Sequence, residues 1–452
     1  MTAGRVLLLV TSSSYKAEDF LSAAERLGIA VTVVSDHEGT LSDVAPGANL
    51  PVDFSDADRA TSSIVDFHHE YPVRAIVAAE DEGTTLAAAA SSALGLSHNP
   101  TAAVHTARRK DLFREALRDA GLPSPDFATF GVDEDPDAVA ARAAAQPGFP
   151  CVVKPVSLAA SRGVIRADDE TQLAAAFRRV VRIAAEAEGT AEAEGTATAP
   201  GSEGAATVPG SEDATRGTSG DAARILVEEY LPGGEVALEG LLVDGELRAL
   251  AVLDKPDPLE GPYFEETLFV TPSRLPAETQ EAIRDTGARV ARAIGLTHGP
   301  VHAEMRVNEK GVWPLEMAPR SIGGLCSRLF RFQTGLTLEE LILLHATGAP
   351  IDEIASPADA PAATAPGAMA SGAMMIPIPR AGSFGAVEGT DAALAVPAIE
   401  DVVISLRPGQ EVVPLPEGNR YLGFIFARSA DGPEAVERAL REAHACLEIT
   451  IE

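Results

Sequence analysis

The sequence predicts a multidomain chain, α/β at its start and α+β beyond, and three observations carry that expectation. From Arg5 to about His98, apolar runs alternate with helical segments: RVLLLV, a helix over Ala17 to Leu27, IAVTVVS, RAIVAAE, and a helix over Leu86 to Leu94. Such alternation describes a parallel sheet covered by helices on both faces. Further along, strands follow one another through tight turns, as in EVALEGLLVDGELRAL with its Asp244-Gly245 turn, which describes antiparallel pairing. The chain has 452 residues, 46% hydrophobic and 23% charged, enough for two or three packed domains of ordinary composition.

Taken in order, residues 1–100 form a Rossmann-like unit. Thr11, Ser12, Ser13 and Ser14 stand where a G-x-G-x-x-G turn would follow the first strand, so dinucleotide binding is not expected there. His98-Asn99-Pro100 ends the unit, and Thr101 to Ala120 reads as one helix carrying Arg108, Arg109 and Lys110, closed by Gly121-Leu122-Pro123. A strand at Cys151 to Lys154 leads into a small-residue loop, Ser157 to Gly163, and then a helix from about Glu170 to Ala187. Residues Glu188 to Asp221 are almost wholly Ala, Glu, Gly, Thr, Ser and Pro, with near-repeats AEGTA and PGSE. Nothing there can bury a core, so the segment reads as a disordered surface insertion. Order resumes at Arg224 with ILVEEYL, the two paired strands, a helix over Ala277 to Ile294 and a hairpin near residue 310. Ile351 to Pro366 reads as a linker, and residues 367–452, with AMMIPI, DVVISLR, YLGFIFA and a helix near Pro433 to Leu447, as a small α+β domain.

Charge narrows the function. With 67 acidic against 36 basic residues the net charge is −31, which argues against a nucleic-acid or membrane-surface partner. An anionic small molecule remains open, since a few local cations make one positive pocket. Cys151, Cys326 and Cys446 have no metal-ligand spacing and make no even-numbered framework, which fits a reducing cytoplasm. The apolar run Val6 to Val10 is too short for a signal sequence or a span and reads as a buried strand.

The chemistry concentrates in His302 to Arg320, HAEMRVNEKGVWPLEMAPR. Val301, Ala303, Met305 and Val307 alternate with His302, Glu304, Arg306 and Asn308, and Trp313, Leu315 and Met317 are expected to continue the apolar face on a returning strand. A three-residue loop, Glu309 to Gly311, with Gly311 left-handed would set Glu304 opposite Glu316. Opposed carboxylates repel, and a hard divalent cation with positions left for phosphate oxygens relieves the repulsion. The alternative is an exposed edge with two solvated glutamates. Arg320 lies four residues on, able to stabilise charge on a transferring phosphoryl group. Upstream, Lys154 ends a strand beside the Ser157 to Gly163 loop, whose amides can fold over phosphates, and Lys110 adds a second cation; either lysine taken singly is more often a surface residue. In Glu228-Glu-Tyr-Leu-Pro-Gly-Gly-Glu235 a strand end offers its backbone to an adenine edge, and a turn returns Glu235 toward ribose hydroxyls. For substrates, Glu266 in Tyr263-Phe-Glu-Glu-Thr267 suits an α-ammonium group, and Lys255 or the loop Ser321, Gly323, Gly324 a carboxylate; a solvated strand end is the competing reading for Glu265 and Glu266. His302 shares a face with Glu304 and reads as its partner, His298 as a loop residue.

This order of motifs is similar to the ATP-grasp superfamily of carboxylate-amine ligases over most of the chain. Within it, SRGV, PLEMAPRSIGG and RYLGFIFA resemble the bacterial L-amino acid ligases that make dipeptides. The resemblance implies an ATP-grasp fold over residues 101–350, a lid at about 124–231, and ATP with Mg²⁺, or Mn²⁺ in its stead. It implies that Lys110 and Lys154 contact phosphates, that Ser161 and Gly163 belong to the covering loop, and that Glu228 accepts from the adenine amine. Glu229, Tyr230 and Leu231 would lie along the ring, with the backbone of Glu229 and Leu231 reading it, and Glu235 would hold the ribose. Glu304 and Glu316 would ligate the metal, and Arg320 would be the catalytic bridge between phosphate and carboxylate. A homodimer is implied as well. Two departures stand out: Ala318 occupies a position where many relatives carry Asn as a metal ligand, and the long insertion interrupts the lid. The implied activity is ADP-forming activation of an amino-acid carboxylate as an acyl phosphate and its coupling to an amine. The alternatives are another nucleophile, either an unusual amine in natural-product biosynthesis or bicarbonate in a carboxylase, and a non-catalytic nucleotide-binding regulator. No biotin-carrier Ala-Met-Lys-Met occurs.

Overall fold

The computed structural model describes residues 4–12, 14–37, 47–196, 224–330, 335–351 and 369–452. The expected insertion beyond residue 196 and the expected linker beyond residue 351 lie outside the described residues.

The N-terminal unit is a four-stranded parallel sheet in the order Asn49–Pro51, Val31–Ser35, Arg5–Leu9, Val73–Ala78. Its central strand is apolar on both faces because both are covered. Leu7 and Leu9 pack into one cluster with Ile64 and Leu86, while Val6, Leu8 and Val10 pack into another with Phe20. That second cluster also takes in Leu241, Leu253, Phe269, Ile322 and Phe424 from the later domains, so one continuous core seats the unit against the main sheet. The helix expected from Leu86 begins earlier and spans Asp81–Leu94. Its acidic first turn, Asp81 and Glu82, breaks the apolar pattern.

The single helix expected over Thr101 to Ala120 is two, Thr101–Arg108 and Lys110–Asp119, broken where Arg109 is extended at φ −107° and ψ 105°. At the break the Lys110 amide donates to Val156 O at 2.9 Å, and the Arg109 guanidinium turns onto Asp111 at 3.0 and 2.8 Å. Lys110 thereby opens a helix beside the 157–163 loop.

The segment expected to form a lid contains an antiparallel sheet ordered Phe127–Gly131, Arg224–Glu229, Cys151–Pro155, Ile165–Ala167, backed by the helices Pro136–Ala145 and Glu170–Thr196. The second helix runs past Ala187, where order was expected to end. Alanine and glutamate cannot build a core, yet they are good helix formers and propagate a helix already nucleated.

The main sheet has eight antiparallel strands in the order Gly311–Ala318, Gly299–Asn308, Gly234–Val243, Glu246–Lys255, Leu268–Thr271, Ala370–Ile376, Gly423–Ser429, Ile399–Ile404. The C-terminal segment therefore adds three strands to this sheet, besides its own small sheet of Glu411–Val412, Gly382–Glu388 and Glu448–Ile451 and the helices Thr390–Leu394 and Pro433–Ala445. Helix Ala277–Ile294 lies on the main sheet so closely at Gly287 that a Cβ there would fall 2.4 Å from Leu238 Cδ2. Among the described residues no helix is long and apolar enough to cross a membrane.

Candidate functional site

Glu304 does stand opposite Glu316, but the chain reaches that register by another route. Asn308 pairs with Gly311, so the loop is only Glu309-Lys310. The register then shifts between Glu304 and Met305, which faces Pro314, and Leu315 is left over as a bulge. Proline has no N–H to give the ladder, so a bulge beside it on this edge strand loses little. Val307–Val312, Met305–Pro314 and Ala303–Met317 make the apolar face, and Arg306–Trp313, Glu304–Glu316 and His302–Ala318 the polar one. Trp313 and Leu315 thus leave the apolar face expected of them. The Trp313 indole N–H donates to Asn308 Oδ1 at 3.2 Å.

Glu316 and Arg320 line a cleft of about 360 Å³ together with Asp81, Arg108, Lys110 and loop residues 157–159. Lys110 Nζ lies 3.4 Å from Glu316 Oε2 and donates to Leu158 O at 2.7 Å. Arg320 donates through Nε and Nη2 to one Asp81 oxygen at 2.9 and 2.7 Å, and through Nη1 to Ser321 O at 2.9 Å. Burial alone would lower the Arg320 pKa, but Asp81, with Glu316 and Glu304 behind it, holds it above its ordinary value. The covering loop is strained: Ala160 and Ser161 are left-handed at φ 54° and 55°, a conformation that costs a residue other than glycine roughly 1–3 kcal/mol. Gly163, at φ 73°, donates its amide to Pro416 O at 2.8 Å, which ties the loop to the C-terminal segment.

The residues expected along the adenine have partners within the chain. Glu228 is buried against Lys154 Nζ at 2.5 Å and Arg114 Nε at 2.8 Å. Burial pushes its carboxyl up, but Arg114 and Lys154 overcome this and bring it to about 2; burial takes the Lys154 ammonium down to about 8, against the pull of Glu228. The Glu229 amide donates to Asp126 O at 2.8 Å, and Leu231 O accepts from Arg306 Nη1 at 2.9 Å. Arg306 also donates to the Tyr230 hydroxyl at 3.3 Å.

Lys255, expected to hold a substrate carboxylate, sits among carboxylates of the chain. Its Nζ donates to Glu235 at 2.7 Å and to Glu266, and lies 3.3 Å from Glu304 Oε1. Glu235, expected to hold the ribose, also accepts from Arg306 Nε at 3.2 Å. Oxygens of Glu235, Glu266 and Glu304 all lie within 4.8 Å of one another, a group that does not include Glu316. Three carboxylates share one ammonium there. Burial, then Glu304, pushes the Glu266 carboxyl up to about 8, while Lys255 and His302 hold Glu304 well below its ordinary range against the effect of burial. Glu266, expected to hold a substrate ammonium, holds Lys255 instead.

His302 partners Glu304 as expected and is sandwiched: Nδ1 lies 2.9 Å from Glu239 Oε2 and Nε2 3.4 Å from Glu304 Oε1. Burial opposes its protonation, but the two carboxylates raise its pKa to about 9. The other Glu239 oxygen accepts from the Ile322 amide at 3.1 Å, which fixes the turn after Arg320. In that turn Gly324 has φ 58°, and a Cβ there would come within 2.7 Å of the Phe424 ring; Gly323 faces open space. His298 packs its ring 4.5 Å from that of His345.

Sequence reasoning missed Asp81, Arg114, Glu239 and Arg306, each of which grips an expected site residue, and it missed Lys16, buried against Ser321. Two signals were available: Arg306 alternates onto the polar face with His302 and Glu304, and the acidic run Glu80-Asp81-Glu82 opens a helix. All-oxygen donors in Glu304 and Glu316 suit a hard divalent cation, whereas Ala318, opposite His302, offers no third side-chain donor.

Three segments match family models: residues 21–98 an ATP-grasp N-terminal domain, residues 211–328 an ATP-grasp domain, and residues 374–452 the L-amino acid ligase C-terminal domain 2. Carnosine synthase 1 of Gallus gallus is 34% identical over 126 residues, which is 28% of this chain and 13% of that protein. Alanine–anticapsin ligase of Bacillus subtilis (strain 168) is 27% identical over 260 residues, covering 57% of this chain and 50% of the relative. The chain thus spans half or less of the length of these two curated relatives. A solved L-amino acid ligase from Bacillus licheniformis superposes over 100% of both chains with a TM-score of 0.78 at 22% identity, a likeness of fold.

Proposed function

We propose that this chain, an ATP-grasp protein carrying an L-amino acid ligase C-terminal domain, is an ADP-forming ligase that joins an amino-acid carboxylate to the amine of a second amino acid. The observation that carries the reading is the cleft that gathers Lys110, Glu316 and Arg320 beneath the strained loop, with Glu304 across the strand.

A carboxylate resists attack by an amine because its oxygen is a poor leaving group. Transfer of the γ-phosphoryl group breaks the bond to the β-phosphate, forms a bond to a carboxylate oxygen and releases ADP. The amine then attacks the acyl carbon, phosphate departs with the former carboxylate oxygen, and the amine loses a proton. Arg320 is aimed by Asp81 so that its charge meets the oxygens of the transferring group, and Lys110 and Lys154 balance the remaining phosphates. Mg²⁺, or Mn²⁺, held by Glu304 and Glu316, would supply further neutralisation of phosphate oxygens. The loop over residues 157–163 would exclude water, which would otherwise hydrolyse the acyl phosphate. The free cysteines, with Cys151 and Cys326 pushed up to about 12 by burial, suit a reducing cytoplasm.

The test is phosphate release from ATP and Mg²⁺ across a matrix of amino-acid pairs, with product masses measured. Turnover with pairs, and a product of the summed mass less water, is expected. Turnover with a single acid and bicarbonate, or silence throughout, would overturn the reading.

A further inference from the structure

Lys16 belongs to the N-terminal unit and immediately precedes the helix Ala17–Leu27, yet its ammonium ends against the turn that follows Arg320. The residue is 1% exposed. Its three donors fall on neutral oxygens, Ala79 O at 3.0 Å, Ser321 Oγ at 3.2 Å and Ser321 O at 3.3 Å, and among the described residues no carboxylate pairs with it. Burying a charge with no carboxylate in direct contact is costly, and methionine would fill the space more cheaply. The cost has a geometric return. Ser321 O also accepts from Arg320 Nη1 at 2.9 Å, and the Arg320 Nε edge rests on Asp81, two residues beyond Ala79. The strand end Ala79 to Asp81 therefore grips the Arg320-Ser321 turn at two points, directly through Asp81 and through the Lys16 ammonium.

We propose that Lys16 is a positioning residue: it clamps Ser321 to the end of the N-terminal sheet and thereby sets the direction in which Arg320 presents its guanidinium. The proposal rests on the ligase reading above. Lys16 does not itself touch substrate, since it is buried and its three donors are used.

Its surroundings make the clamp sensitive to pH. Burial lowers the ammonium to about 8, Arg320 acts the same way, and the charges of Glu80, Glu239 and Glu339 oppose them. The charged form, and with it the full set of donors, is present below about pH 8 and lost as the pH rises through that value.

The experiment measures kcat, KM for ATP and the pH profile of kcat for the full chain, Lys16→Met and Lys16→Arg. Lys16→Met should lower kcat by about ten- to a hundredfold, the scale expected for a misaligned reacting group, with KM for ATP little changed. Lys154, also brought down to about 8, gives every form an alkaline fall, so the ratio between forms is the readout: wild-type kcat relative to Lys16→Arg, which is charged throughout and should recover activity, should drop as the pH rises through about 8, and wild-type kcat relative to Lys16→Met should drop with it. Wild-type kcat in Lys16→Met, or kcat ratios among the three proteins that stay constant from about pH 7 to about pH 9, would overturn the proposal. So would a raised KM for ATP at unchanged kcat. If Lys16→Met does not fold, the comparison of wild type with Lys16→Arg still decides, since a ratio that does not change with pH overturns the clamp. A wild type that releases no phosphate with any pair overturns the ligase reading and this inference with it; an active wild type whose variants behave alike overturns only the inference.

Discussion

The Lys255 cluster and the Glu417 cluster are built from the same charged groups in opposite surroundings. Around Lys255 the side chains are 3% to 17% exposed, three carboxylates share one ammonium, and Glu266 is pushed toward its protonated form. At the rim, Glu417 of the C-terminal segment receives Arg179 of the lid at 2.6 and 2.8 Å and Arg182 at 3.3 Å, while Arg162 donates to its backbone oxygen at 2.9 Å. These side chains are 23% to 60% exposed, and Arg179 lowers the Glu417 carboxyl. The buried cluster sets protonation states and resists the loss of any member. The rim cluster, bathed in water, adds little to stability and instead holds the covering loop, already tied through Gly163 to Pro416, over the cleft.

The largest effect should come at the edge of the buried cluster. Glu316→Gln should abolish ADP formation without unfolding the chain, because Glu316 is 31% exposed and Lys110 is its one ion-pair partner among the described residues. Wild-type turnover would show that the metal is misplaced. Next, Lys255→Met should destabilise by about 3–5 kcal/mol, since it strands buried carboxylates, with part of the loss recovered by adding Glu266→Gln; urea denaturation measures both. Glu228 gives the same contrast a pH axis. Its folded pKa, about 2, lies below the ordinary 4.5, so its contribution is full above pH 4.5 and lost as the pH falls toward 2. The stability gap between wild type and Glu228→Gln should shrink over that window, and a gap constant from pH 6 to 3 would contradict the buried pairing. At the rim, Glu417→Gln should change global stability by less than about 1 kcal/mol. Amide exchange in residues 157–163 should nonetheless quicken, and ATP hydrolysis uncoupled from product should rise. Smallest, Arg178→Ala, which removes an exposed pair with Asp137 at 3.0 Å, should fall within about 0.5 kcal/mol of wild type.

Much of this arrangement was legible in the chain. The parallel N-terminal sheet, the strands at Cys151 and Arg224 and the hairpin follow from apolar period and turn residues, and the opposition of Glu304 and Glu316 follows from counting; the short strands Phe127–Gly131 and Ile165–Ala167 were not read, and Arg224–Glu229, expected in the sheet of the hairpin, joins theirs instead. The count was right for the wrong reason: the loop is one residue shorter than expected and the bulge at Leu315 restores the difference. Such compensation leaves no trace in alternation, which is why Trp313 was assigned to the wrong face. The helix past Ala187 was missed because absence of a core was equated with absence of local order.

Periodicity and turn chemistry act between neighbours, so the chain alone determined its elements, its acidic balance and the lysines, glutamates and arginine that suit phosphoryl chemistry. Tertiary structure decided which of those groups meet. Lys16 reaches Ser321 across 305 residues and Asp81 reaches Arg320 across 239, and Lys255 takes the place beside Glu266 that a substrate ammonium was expected to fill. The reason is physical: the energy of a charge depends on its burial and on the distance to its partner, and both quantities exist only once the sheet and its covering helices have closed.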